Sequence, residues 1–424
     1  MKYGTSLVVL SFALLAANAA QAQDSNFARD RNIAVTERIP PEYEPQGLRW
    51  GVFDVSPSLD IELNSNDNIY YSDINEVSDT YSAITPAVRI ASDWGRHQLS
   101  ASLRSSFVNY ADNDNLNTTS WDAGLAGRLD IHGRSNLFAA VNYSDGFEAL
   151  YDPSAQTVGT NLAKPIEFKA TTASAGFVAE GNRLRFVGQA TLTDLNYEDA
   201  VTLGGVVLPQ DDRDLTQVVY SGRADYALSP DTSVYAIWVG NTRDYDDSAV
   251  NRDSDGYDAA IGASFDLTNL IRGEAQIGYQ EQTYDNPLFE KVDGVSFAAN
   301  VQYFPTQLLT IWANTARTIQ ETPQIGASGY TSTGSQIGLD YEVLRTLVLS
   351  ASYGYTADDY NGTKINVVDR TDDRTTFTLS AKYLVNRRIF IRGAYVYSDN
   401  KSKGVNAIPG FEDNALKVSL GLQY

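Results

Sequence analysis

Residues able to do bond-making chemistry are few in this chain. Its 424 residues include two histidines, His97 and His132, and no cysteine. Thiolate nucleophiles, Cys-ligated metals and disulfides are therefore excluded. A serine nucleophile needs a base within hydrogen-bond reach, and a zinc centre needs several converging ligands. Both histidines stand beside turn-forming stretches, Trp94-Gly95-Arg96 and Gly133-Arg134, away from any such constellation. Asp246, Asp247, Asp253 and Asp255 offer the oxygens a calcium ion takes. They lack the fixed spacing of an EF-hand loop and read as a solvated acidic loop. Gly204-Gly205 and the stretch 326–329 match no phosphate-binding loop. No catalytic residue, metal site or cofactor is expected, and the chain does not read as an enzyme.

What remains is a set of charged residues that could act on a solute without breaking a bond. Arg89, Arg104, Arg128, Arg185, Arg223 and Lys382 recur on one side of alternating segments, with Asp122, Asp130, Asp225, Asp258, Glu274 and Asp340 among them. Cations on a pore wall can steer an anionic solute. The same residues can also pair with carboxylates on neighbouring strands and simply stiffen the wall. Which applies depends on the elements that position them.

Those elements are strands. From Trp50 onward apolar residues recur at every second position in runs of about ten, the period of a strand with two unlike faces. Leu137, Ala139, Val141 and Tyr143 alternate with mostly polar neighbours. So do Tyr257, Ala259, Ile261, Ala263 and Phe265, and Phe377, Leu379, Ala381 and Tyr383. Tight connections, such as His132-Gly133-Arg134 and Ser229-Pro230-Asp231, alternate with longer polar and acidic ones, such as 149–165 and 198–214. Joining strands across both kinds gives about 18 strands. Tyr and Asp cluster where strands enter the long connections, as in Asp244-Tyr245-Asp246 and Tyr284-Asp285. An apolar ring with a polar tip suits the membrane interface. No helical period is evident, and the mature chain has no apolar run long enough for a membrane-spanning helix.

Composition narrows the class further. Acidic residues number 53 against 32 basic ones, a formal net charge of −21. A nucleic-acid partner is excluded, because phosphate contact needs a positive face. Alternation lets a transmembrane β-barrel carry a lipid-facing surface while its average hydropathy looks soluble. The expected fold is therefore an all-β transmembrane antiparallel barrel with short periplasmic turns and longer acidic extracellular loops. An 18-stranded barrel leaves an aqueous lumen, and the charged set above would line it.

The ends fit that reading. Residues 1–22 form a signal peptide: Lys2, an apolar stretch from Leu7 to Leu15, and small residues before cleavage after Ala22. Residues 23–46 are polar and proline-containing, and read as an exposed periplasmic extension; 47–424 is the barrel. The last strand places Leu416, Val418, Leu420 and Leu422 on one face and ends in Tyr424. A terminal aromatic closing an amphipathic strand resembles the signal read by the outer-membrane barrel-assembly machinery. Outer-membrane lipid and lipopolysaccharide are the other expected partners.

Several stretches resemble the beta-barrel porin 2 family of alphaproteobacterial outer-membrane proteins. They are ERIPPEYEPQG at 37–47, VSPSL at 55–59, NDNIY at 66–70, SDWGRH at 92–97, RDSDGY at 252–257 and YLVNR at 383–387. The resemblance implies an outer-membrane channel without catalytic residues. It further implies a passive conduit for an exported capsular or exopolysaccharide, working beside a periplasmic polysaccharide export protein. A diffusion porin for small hydrophilic solutes is the alternative, and a structural or adhesive surface protein a third.

Overall fold

A computed structural model describes residues 26–29, 31–152, 162–247, 251–268, 270–322, 324, 326–364 and 369–424. Residues 1–22, expected from the sequence to be a signal peptide, lie outside the described residues. Eighteen long strands form the molecule. They are β1 (Phe53–Asn66), β2 (Asp79–Ser92), β3 (Gln98–Tyr110), β4 (Thr118–His132), β5 (Ser135–Glu148) and β6 (Ile166–Glu180). Then come β7 (Leu184–Tyr197), β8 (Leu215–Ser229), β9 (Thr232–Tyr245), β10 (Ser254–Leu267), β11 (Ile271–Tyr284) and β12 (Val292–Thr306). The last six are β13 (Leu309–Gln320), β14 (Ala327–Leu344), β15 (Leu347–Gly362), β16 (Thr371–Asn386), β17 (Ile389–Lys403) and β18 (Phe411–Gln423).

Each strand pairs antiparallel with its chain neighbours, and β18 returns to β1 from Ser58↔Gln423 to Asn66↔Ala415. The sheet is thereby closed. Closure lets the wall strands satisfy their backbone groups edge to edge, as hydrocarbon requires. A three-residue strand, Leu48–Trp50, pairs with the start of β1 and continues the seam below the end of β18.

The alternation read from sequence becomes two faces. Ile261, Ile277, Leu125 and Leu416 are among the most exposed large side chains, while Asp225, Asp266 and Thr310 are nearly inaccessible. Buried polar side chains outnumber buried apolar ones among the described residues. That inverts a soluble domain, where the apolar set is the interior. Here lipid covers the apolar face.

Large inward rings lie flat against the wall because the neighbouring strand offers glycine. A Cβ at Gly421 would come within 2.0 Å of the Phe390 ring, and one at Gly338 within 2.3 Å of Trp312. The ring takes the room a side chain would need, and less of it projects into the lumen.

An even strand number returns both termini to the side of the tight turns, which in this class is the periplasm. On the opposite side, described residues of the long connections pack against strand ends. Residues Leu162, Ile166, Leu195, Tyr197 and Ala200 form a small apolar core there, joined by Leu150, Phe168, Leu208 and Leu215.

Candidate pore and its lining

The periplasmic mouth is built first from the N-terminal extension. Residues 26–29 and 31–39 run as a strap along the inner rim. Asn26 Nδ2 donates to Asn182 O in the β6–β7 turn at 2.7 Å. Arg29 donates to Pro230 O and to Ser233 Oγ at the β8–β9 turn, and Arg31 pairs with Asp231. Arg272 of β11 donates to Asn32 O at 2.7 Å and pairs with Glu37 at 2.9 Å. Val35 N–H donates to Thr310 Oγ1 on β13 at 3.0 Å. Arg38 ends the run on Gln307 O and Glu342. Ala34 and Val35 are buried between these anchors. Composition does not show this docking because its partners sit at the ends of separate hairpins, far away in the chain.

The strap occupies the half of the mouth under β6–β14. A cavity of ≈1470 Å³ extends through the barrel beside it, and Val35, Thr36, Arg38 and Ile39 of the strap form part of its wall. The rest comes largely from β15–β18 and β1–β3, with Asp60, Glu62, Arg104, Lys382, Arg392 and Lys417 supplying charge.

Of the twelve pore-lining candidates, Arg104, Glu274 and Lys382 line the cavity, and their surroundings divide the set. Arg128 pairs with Asp130 at 2.9 Å on its own strand. Arg185 lies 3.9 Å from Glu180. Arg223 is held by Asp225 at 2.7 Å and Glu274 at 2.9 Å, with its guanidinium 3.6 Å from the Tyr235 ring centroid. These three arginines act with carboxylates as wall braces. Asp122 accepts from Ser144 Oγ, Asp258 from Ser296 Oγ, and Asp340 from Trp312 Nε1 and Ser350 Oγ. Arg104 stands opposite Asp122 in register and Arg89 opposite Ser56 and Ser102. Lys382 faces Arg392 across β16–β17. Their charges lie 4.8 Å and 5.5 Å from the Phe390 ring centroid. Among the described residues Lys382, Arg392 and Lys417 form no ion pair.

Matching against known families gives one decisive result. The family described as "Putative beta-barrel porin 2" matches residues 40–424. The chain belongs to that family. It is an outer-membrane β-barrel. No curated protein matches the sequence. Solved structures with a similar barrel include the copper transporter OprC, at 9% identity over 89% of this chain and 82% of that one, TM-score 0.48. Others are Pseudomonas aeruginosa OccK1 (OpdK), at 12% identity over 88% and 99%, TM-score 0.47, and Acinetobacter baumannii OccAB3, at 12% over 88% and 99%, TM-score 0.48.

Other residues that the sequence singles out make local contacts in this porin-family barrel. His97 takes a positive φ of 64° at its tight turn, and its Nδ1 accepts the Asp130 N–H at 3.1 Å. That fixes the turn. Asp253 Oδ1 accepts the Tyr245 N–H at 2.7 Å, and no group of three potential metal ligands occurs among the described residues. The C-terminal strand turns Leu416, Val418 and Leu420 toward lipid. Tyr424 packs under Arg388, whose guanidinium is 4.7 Å from the ring centroid.

On the extracellular side, arginines pin the loops. Arg213 makes two bonds to the Glu148 carboxylate, 2.6 and 3.0 Å, and lies 3.9 Å from the Tyr197 ring centroid. Arg370 is fully buried against Asp372 and over Tyr360. Next to Arg213, burial pushes the Asp214 carboxyl up to about 6; Asp211 and Asp246 push the same way, against the Tyr197 N–H and Arg213. Asp60, Glu62, Arg392 and Lys417 follow the same alternation as the candidates and were readable by extending it. Tyr71 and Tyr151, which line the cavity from two loops, were not, because no local period sets where a loop folds.

Proposed function

We propose that this protein is a passive outer-membrane conduit through which a polysaccharide leaves the cell. The observation that carries the reading is the lumen of ≈1470 Å³, in whose wall Ser, Thr, Asn and charged side chains alternate with Ala, Val and Tyr. A hydroxyl-rich polymer can exchange hydrogen bonds with such a wall as it slides. The strap at one end and the inward loop tyrosines at the other favour a guided passage over a constitutively open hole. The family likeness supplies the class of cargo, and a periplasmic polysaccharide export protein is its natural neighbour at the strap.

A diffusion porin for small hydrophilic solutes is the second reading, favoured by the unpaired cations Lys382, Arg392 and Lys417 on the lumen wall. Deletion of the gene, with surface polysaccharide measured by staining and sugar analysis, tests the first. Loss of surface polymer with normal intracellular synthesis is expected; unchanged polymer would overturn it. Planar-bilayer recording of the purified full chain tests the second: a large, steady current supports the porin, and a small or gated current supports the conduit.

A further inference from the structure

Six side chains meet at the extracellular end of the lumen in a pattern the transport reading does not require. Tyr71 lies in the loop between β1 and β2. Its ring makes edge contacts with Tyr151 at 5.0 Å and with Phe411 at 5.1 Å between centroids. All three rings line the cavity, as does Tyr81 on β2. Tyr71 is held at φ 53°, a conformation costly for a residue with a Cβ. The turn that holds it is locked by Asn68, whose side chain bonds to Ser72 O and to Glu412 O, each at 2.8 Å. A strained residue fixed by its surroundings points to a use for its side chain.

Below these rings two acceptors lack partners. Asn64 on β1 is 1% exposed and Asp413 on β18 is 4% exposed. Asn64 Nδ2 donates to the Tyr81 hydroxyl, which leaves Asn64 Oδ1 unbonded. Asp413 Oδ1 has no hydrogen-bond partner either. Both residues line the same cavity. A buried acceptor without a donor is costly, so an inward-facing pair of them selects a ligand rich in donors.

We propose that Tyr71, Tyr151 and Tyr81, with Asn64 and Asp413, form a saccharide-binding subsite at the exit of the lumen. A pyranose ring offers both matching surfaces. Its axial C–H groups make an apolar face that packs on an aromatic ring, and its equatorial hydroxyls donate to Asn64 Oδ1 and Asp413 Oδ1. Phe411 backs Tyr71 through its edge contact at 5.1 Å. Because both orphan atoms are acceptors, the subsite favours a neutral sugar unit over a carboxylate or phosphate at this point. The assignment rests on the conduit reading for its biological setting but not for its chemistry.

The test uses the purified full chain in detergent, with cellohexaose and maltohexaose as ligands in calorimetry and as blockers of ion current in a planar bilayer. At least one hexasaccharide is expected to bind and to interrupt the current. Tyr71→Ala with Tyr151→Ala should weaken binding at least tenfold. Asn64→Leu should weaken it severalfold, and Tyr71→Phe should retain it. Tyr71→Phe and Asn64→Leu keep the test decisive if the double variant loosens the loop. Absence of binding by both sugars, equal binding by the Asn64→Leu variant, or binding of Ca²⁺ alone that Asp413→Asn abolishes would overturn the subsite. Sugar binding in a protein whose deletion leaves surface polymer intact would retain the subsite and overturn only the export reading. Lost polymer without sugar binding would do the reverse.

Discussion

The loop that carries Arg213 and Asp214 shows how single residues set extracellular order. Arg213 and Glu148 are almost fully buried, so each depends on the other to offset its desolvation. Removing one partner of such a pair typically costs about 3–5 kcal/mol. Glu148→Gln is therefore expected to release the loop core around Leu162 and Tyr197, read as faster hydrogen exchange there while the wall strands stay protected. Asp214 adds a pH dependence. Its side chain accepts the Tyr197 N–H and Asn196 Nδ2, both at 2.7 Å. With the folded carboxyl at about 6 and an ordinary aspartate near 4, the folded loop holds its proton more tightly than the open one. Its contribution is complete below about pH 4 and fades as pH rises through 6. After correction for intrinsic rates, the Tyr197 and Asp246 amides should exchange more slowly at pH 5 than at pH 7. Asp214→Asn should remove that difference.

Strands and strap behave differently because their information lies at different distances. Strand alternation is local, and so the two faces were readable: extending the period from Tyr257 and Ile261 assigns Asp258 inward without any knowledge of its neighbours. Pairing partners were not readable, since nothing near Arg223 in the chain announces that Glu274 will stand within reach. The strap lay further out of view. Arg29, Arg31 and Arg38 look like soluble-tail residues until the turns of β8–β9 and β14–β15 bring Asp231 and Glu342 to them. Each kind of element yields a test. Lysine at the lipid-facing Ile261 should cost about 2–4 kcal/mol in liposome unfolding if the site lies near the bilayer midplane. Lysine at Thr378, on the lumen wall, should cost far less; equal costs would contradict the assigned faces. Deleting residues 26–39 should leave the barrel folded and raise its single-channel conductance, because the strap fills mouth that no strand needs. Arg272→Ala, which removes the bonds to Asn32 and Glu37, should give an intermediate, flickering current.

At the scale of the whole molecule, length is the feature that sequence habits misread. A chain of 424 residues invites division into domains, yet one closed sheet takes in the strands from Phe53 to Gln423. The seam between β1 and β18 shows why. It is the pairing that joins the two ends of the barrel, and it runs over nine register positions from Ser58 to Asn66. Every other wall pair can form between chain neighbours before closure; this one cannot. Until it forms, β1 and β18 each present an unpaired edge, and each unsatisfied backbone group costs several kcal/mol in hydrocarbon. Removing residues 411–424 exposes β1 and β17 together and leaves no alternative partner in register. The truncated chain is expected to fail to insert, read as loss of the compact, heat-modifiable band on cold electrophoresis and loss of protease protection. Tyr424→Ala is a finer cut. It removes the ring under Arg388 but keeps the Tyr424 N–H bond to Pro57 O, because that bond is backbone. The closed barrel should then retain its stability once formed and lose only its rate of assembly. Equal losses of rate and of stability would place Tyr424 among the residues that hold the seam.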